Sequence, residues 1–162
     1  MDTSSIAIGV ILIFLFVGPI MYMILKQNNR EKNRLKNLKN ISKQHELDLT
    51  EVELTNALLL GLDSKAKKLV VVEPLNNMQY NIIDLNGIKV SHVSKKGNPQ
   101  VNGTKGNPAI THISLDLIKN NSKENATEII FYDEDDDTSY NAETQMFLAN
   151  KWDRLIRSNI PA

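Results

Sequence analysis

The sequence predicts a single N-terminal transmembrane α-helix followed by an α+β domain: an antiparallel sheet of six to seven strands, in a barrel or sandwich, capped by a C-terminal amphipathic helix. Three observations predict it. Residues 6–25, IAIGVILIFLFVGPIMYMIL, carry no charge over twenty positions. Between residues 57 and 132, short apolar segments alternate with turn signals at spacings too short for helical crossovers. From residue 142 to 160 apolar side chains return every three or four positions, the period of a helix facing a core. A chain of 162 residues suits one domain with an appendage. The absence of cysteine excludes a disulfide scaffold, a zinc ribbon and thiol catalysis.

The first element is the span. Twenty helical residues cover roughly the 30 Å of a bilayer's hydrocarbon core. Pro19 breaks a soluble helix but is tolerated in a span, and Tyr22 falls near the end marked by Lys26, at headgroup level. A cleaved signal peptide fits less well. The start, MDTSS, has no basic residue, the apolar run is too long, and no small-x-small cleavage site follows. Residues 1–5 then form a short extracytoplasmic N-terminus, 6–25 the transmembrane helix, 26–47 a basic juxtamembrane stalk and 48–162 a cytoplasmic domain. The positive-inside rule sets that orientation, in the inner (cytoplasmic) membrane.

The stalk carries Lys26, Arg30, Lys32, Arg34, Lys36, Lys39 and Lys43 against Glu31 alone, a net charge of +6 over residues 26–43. Leu35, Leu38 and Ile41 recur every third position with no Gly or Pro between, so the span is expected to run on as one helix with a narrow apolar stripe. Basic residues just inside a membrane attract anionic lipid at roughly 1 kcal/mol each. The stripe also suits a partner helix. The plainer reading, topology-setting charges on a solvated stalk, has the greater weight.

In the domain, Ala57–Leu62 and Leu69–Val72 are continuous apolar runs separated by a basic turn holding Lys65, Lys67 and Lys68. Tyr80–Leu85 and Ile88–Val93 flank Asn86-Gly87, a strong hairpin signal. Lys95–Pro108 reads as a loop rich in Gly, Asn and Pro, followed by strands at Ile110–Ile118 and Glu128–Tyr132. Asn141 is the expected cap of the final helix, with Glu143 in its first turn and Pro161 as its stop.

A short antiparallel barrel closed by a helix bearing a Trp resembles the pleckstrin-homology (PH)-like superfold, and Ile83, Leu85 and Ile88 resemble the strand-to-strand pattern of bacterial PH-like domains. The layout is also similar to small membrane-anchored proteins of Bacteroidota type with a C-terminal PH-like domain. The matching pieces are Gly61-Leu62-Asp63, Lys67-Lys68-Leu69, Phe131-Tyr132-Asp133 and Lys151-Trp152, within residues 50–160. These motifs are short and mostly structural. The resemblance implies a fold and an anchor and brings no activity, catalytic residue or cofactor with it.

Candidate chemistry is sparse. Asp133, Asp135 and Asp137 match the first three acidic positions of a calcium loop, but Thr138 stands where Gly is needed and Glu143 comes one position early. A solvated acidic turn is the simpler account. His92 and His112 lie in neighbouring strands and would share a metal only if registered opposite one another, with no carboxylate at ligand spacing beside either. Gly97 and Gly103 do not make a phosphate loop, and no nucleophile motif occurs. The expectation is a non-catalytic protein without metal or cofactor.

The net charge of zero hides −1 over residues 1–25, +6 over 26–43 and −5 over 44–162. An acidic domain argues against nucleic acid as a partner. The bilayer and a protein partner are the expected ones. The function expected is binding or scaffolding at the membrane, with an accessory place in a membrane complex as one form of it. The alternative is sensing of anionic lipid, through the stalk residues named above together with Lys65, Lys67, Lys68, Lys95, Lys96 and Lys105.

Overall fold

The computed structural model describes residues 3–102, 108–120, 126–136 and 141–161, except the side chains of 3–12, 14, 98–102, 108 and 126. The chain forms two compact units, Met1–Asn37 and Leu38–Ala162. The architecture is α+β: an N-terminal helix, two antiparallel sheets of four and three strands, and a C-terminal helix.

Helix α1 (Thr3–Gln44) is continuous and contains Pro19 without ending there, so the stalk does prolong the first helix. In the first unit the large apolar side chains from Leu15 to Leu25 are all exposed, and the Lys26 ammonium lies 5.9 Å from the centre of the Tyr22 ring. Among the described residues, no helix is long and apolar enough to cross a membrane. The span expected at 6–25 falls partly outside them, at the side chains of 6–12 and 14.

The second unit opens with the last turns of α1. Then follow β1 (Glu51–Leu54), β2 (Leu59–Asp63), β3 (Lys68–Glu73), β4 (Gln79–Asp84), β5 (Ile88–Asn102), β6 (Pro108–Lys119), β7 (Ala126–Asp133) and α2 (Ala142–Asn159). Strands β1 to β4 form one meander and β5 to β7 the other. The strand absent from the six apolar segments is β1, whose four residues, Glu-Val-Glu-Leu, are too short and half-charged to signal a strand. It is the edge strand beside β2, in register from Glu51↔Leu62 to Leu54↔Leu59.

Asn86-Gly87 is not a hairpin. Strands β4 and β5 belong to different sheets, joined by a 3₁₀ turn over Leu85–Gly87. The tight hairpin turn needs positive φ at its Asn, and Asn86 is not among the non-glycine residues with positive φ. Instead Asp84 Oδ1 accepts the Asn86 N–H at 2.9 Å, capping the turn, while Leu85 is wholly buried and draws the chain from one sheet to the other. The tight turn sits elsewhere: Asn77 and Met78, at φ 48° and 58°, join β3 to β4, closed by the Gln79 N–H on the Asn76 carbonyl at 2.8 Å. The expected loop at 95–108 is also revised. Residues 95–102 extend β5 to fifteen residues, with register shifts where Gly and Pro interrupt it.

Two cores explain the apolar runs. Leu60, Leu62, Leu69, Val71 and Ile83 of the first sheet meet Ile113, Leu115, Leu117, Ile129 and Phe131 of the second, with Ala149, Trp152 and Ile156 of α2 among them. On the opposite face of the first sheet, Leu59, Val70 and Val72 cluster with Leu38 and Leu47, packed by Ile41, Leu49 and Val52. Strands β2 and β3 are therefore covered on both faces, which is why they read as unbroken hydrophobic runs instead of alternating. Gly61 leaves room for this: a Cβ there would stand 2.8 Å from Leu49 Cδ1.

Helix α2 is tied at three points. Asn141 caps it, accepting the Glu143 N–H at 3.0 Å. Lys151 reaches Glu53 of β1 at 2.7 Å. Asp153 accepts Ser91 Oγ–H of β5 at 2.6 Å and pairs with Arg157 at 2.9 Å. The apolar period of three to four residues puts Trp152 and Ile156 on the buried side, but nothing in it signals the buried Asp153. Its partner Ser91 lies sixty-two residues away in sequence.

Candidate functional site

The basic residues singled out in the sequence fall into separate groups. Lys26, Arg30, Lys32, Arg34 and Lys36 belong to the first unit, on α1, where 26/30/34 and 32/36 form two rows at i, i+4 spacing. Lys39 lies in the second unit, exposed on the last turns of α1. The stripe beside it is not open to a partner: Leu38 is fully buried and Ile41 packs in the same cluster, against the domain's own sheet.

Lys65 and Lys67 occupy the β2–β3 turn and Lys68 opens β3. Asp63, only 3% exposed, organises the turn. Its Oδ1 accepts the N–H groups of Lys65 and Ala66 at 2.9 and 2.8 Å, and its Oδ2 accepts that of Asp48 at 2.8 Å. Burial pushes this carboxyl upward, but the Ala66, Asp48 and Lys65 N–H groups and the Lys65 charge outweigh burial and hold it below the usual carboxylate range. Lys67 takes a left-handed backbone at φ 52° to complete the turn. Lys95 and Lys96 are exposed in β5, and Lys105 lies outside the described residues.

The second sheet is different. Apart from Ser91 its buried inner side chains are apolar, but β6 carries His112, Ser114 and Asp116 on the other side. In register, Asp116 stands between His92 of β5 and Glu128 of β7, while His112 stands opposite Lys96. The two histidines are thus offset along the sheet, not opposite one another. No carboxylate sits at ligand spacing beside either in the sequence, but strand pairing supplies spatial neighbours that spacing does not show. His92 Nε2 is 3.5 Å from Asp116 Oδ2. His112 Nε2 is 2.9 Å from Glu128 Oε1, and its Nδ1 is 3.5 Å from Asp133 Oδ2. The His112 hydrogen bond, helped by Ser114 and by the charges of His112 and Lys96, holds Glu128 below the usual glutamate range against a smaller opposing effect of burial. Among the described residues, no group of three or more His, Asp or Glu has a geometry that could hold a metal ion.

At the end of β7 this face meets a groove of about 340 Å³. Leu58 and Leu75 line it from the first sheet's loops and Ile130 from β7. Glu73, Asp133, Asp135 and Asp136 supply carboxylates. Leu75 and Ile130 are 57% and 43% exposed, unusual for aliphatic side chains in the domain. The acidic run thus forms a turn at the groove's wall: Asp133 Oδ1 accepts the Asp135 N–H at 3.1 Å, and the Asp133 carbonyl accepts that of Asp136 at 3.2 Å. Asp137, the third acid of the calcium pattern, lies outside the described residues. The charge run at 133–136 was visible in the sequence. The aliphatic floor was not, because Leu75 and Ile130 come from different sheets.

Comparison with known proteins finds no family model that matches the chain, no similar curated protein and no similar solved structure.

Proposed function

We propose that the chain is a membrane-anchored, non-catalytic binding or scaffolding protein, in which residues 6–25 are the anchor and the following domain, PH-like in plan, recruits a protein partner on the cytoplasmic side. The plan of four and three antiparallel strands followed by a C-terminal helix supports the PH-like reading. The anchor rests on the charge-free run, the basic flank and the uncovered apolar side chains of the first unit. The recruitment reading is carried by one observation: a groove open to solvent whose exposed aliphatic floor, Leu75 and Ile130, is walled by carboxylates. Apolar contact surface with a polar rim is the make-up of protein-binding sites.

Two experiments test it. Alkaline carbonate extraction of membranes is expected to leave the full chain in the pellet, and release into the supernatant removes the anchor. Affinity purification of detergent-solubilised full-length protein is expected to retain a partner that Leu75→Arg/Ile130→Arg loses. An identical set with both proteins, or the chain alone, overturns recruitment through this groove.

A second reading, contact with anionic lipid, is favoured by the β2–β3 turn, which holds Lys65 and Lys67 beside Lys68 at the start of β3 on a backbone fixed by Asp63. For the full chain in vesicles, it predicts slower amide exchange at 64–68 when anionic lipid is present. Equal exchange in neutral and anionic vesicles discards it.

A further inference from the structure

His112 is placed where a single proton decides how many contacts it makes. It sits in the middle of β6, its side chain 15% exposed, and each ring nitrogen faces a different carboxylate of β7. A neutral imidazole has one N–H donor and one lone pair, whereas an imidazolium has two donors. The charged ring therefore satisfies Glu128 at 2.9 Å and Asp133 at 3.5 Å together. The neutral ring keeps one N–H. The shorter contact assigns it to Nε2 and Glu128, which turns the Nδ1 lone pair toward the Asp133 carboxylate.

Asp133 is not an isolated side chain. Its other oxygen accepts the Asp135 N–H, and the adjoining Glu134 N–H donates to the Thr111 carbonyl at 2.9 Å, next to His112. The acidic turn thus meets β6 at Thr111 through its backbone and at His112 through the Asp133 side chain. The charged groups around the ring are Lys96 from β5 and Glu128 and Asp133 from β7, with Asp116 further along β6 and occupied by His92.

We propose that His112 is a proton-dependent clasp: the imidazolium pins the acidic turn 133–136 to β6, and loss of its proton to solvent releases that turn from the ring. The low-lying Glu128 carboxylate agrees, since it stays ionised as the pH falls through the range in which histidine charges. Because Asp133, Asp135 and Asp136 wall the groove, the clasp fixes that wall when the His112 ring is charged and loosens it when the ring is neutral. Its consequence for a docked partner rests on the recruitment reading above. The clasp itself does not.

The test is a pH titration of the full-length protein in detergent micelles, following by nuclear magnetic resonance the ring nitrogens of His112 and His92 and the amides of Glu134, Asp135 and Asp136. The expected result is one midpoint shared by the His112 ring and the three amides, with Nε2 protonated in the neutral form. His112→Asn is expected to flatten the amide response in that range, and His92→Asn to leave it intact. Should His112→Asn fail to fold, Asp133→Asn is the second variant: His112 still titrates while the turn amides no longer follow it. Amides that do not move, that follow His92, or that move only with carboxylates near pH ~4 overturn the clasp. No partner is required, so failure here and failure of recruitment are read separately.

Discussion

The two sheets of the domain are built from the same kind of strand and buried in opposite ways. The central strands of the first, β2 and β3, are covered on both faces, by the common core on one side and by Leu38, Ile41, Leu47 and Leu49 on the other. The second is covered only on its inner face. Its outer face carries imidazoles and carboxylates in ion-pairing distance, flanked by the exposed Val90 and Ile130. Strands sealed on both sides present no free face for binding, and their side chains serve packing. The half-covered sheet holds its shape from one face and presents chemistry on the other. The charged network and the groove are accordingly at the second sheet and its boundary.

Equivalent insults to the two outer faces give the sharpest break. Val70→Asp places a carboxylate among Leu59, Val72 and Leu38, with no partner, and is expected to cost about 4 kcal/mol or more. Val90→Asp on the second sheet, 40% exposed, is expected to stay within about 1 kcal/mol. Chemical denaturation of the detergent-solubilised chain, read by the fluorescence of Trp152, its sole and fully buried tryptophan, measures both. Similar losses for the two would erase the distinction between the sheets.

Leu38→Ala is next, at about 3 kcal/mol, because truncating a fully buried leucine leaves a cavity under the first sheet. A loss below about 0.5 kcal/mol would mean that the end of α1 does not cover that sheet in solution.

Asp63→Asn follows, at about 2 kcal/mol near neutral pH, because three backbone donors lose an anionic acceptor. The Asp63 carboxyl is depressed in the folded chain, so its contribution is present above the ordinary Asp value and is lost as pH falls through the lower folded one. The gap between wild type and variant is therefore expected to close in acid, and a gap independent of pH refutes the assignment. Glu128→Gln has the same sign of dependence, since Glu128 is also lowered, chiefly by the His112 hydrogen bond. Its side chain is 46% exposed, and solvent screening keeps the expected effect under about 1 kcal/mol. A larger loss would show that the polar face is as structural as the sealed one.

Much of this was legible from residue order. The final helix, its Asn141 cap and its stop before Pro161 follow from spacing and local hydrogen bonding, and the structure places them as expected. The apolar runs at 57–62 and 69–72 announced strands, although only their double burial explains why they do not alternate. Asn86-Gly87 misled because a dipeptide reports what a turn permits, and Leu85 beside it was needed in the core. The missing carboxylates of His92 and His112 were invisible for a related reason: Asp116, Glu128 and Asp133 become neighbours only through strand register.

By itself the sequence determined the α+β class, the long first helix, the terminal amphipathic helix and the separation of a +6 stalk from a −5 remainder. These rest on periodicity, capping and charge, which act over a few residues. Tertiary structure alone decided that the strands divide four and three and that the stalk's Leu38 and Ile41 are turned against the domain. It alone brought His112 between two acids of another strand and Leu75 beside Ile130 in one groove. Those choices depend on which apolar faces meet, and burial is a property of surfaces from distant segments that no local pattern encodes.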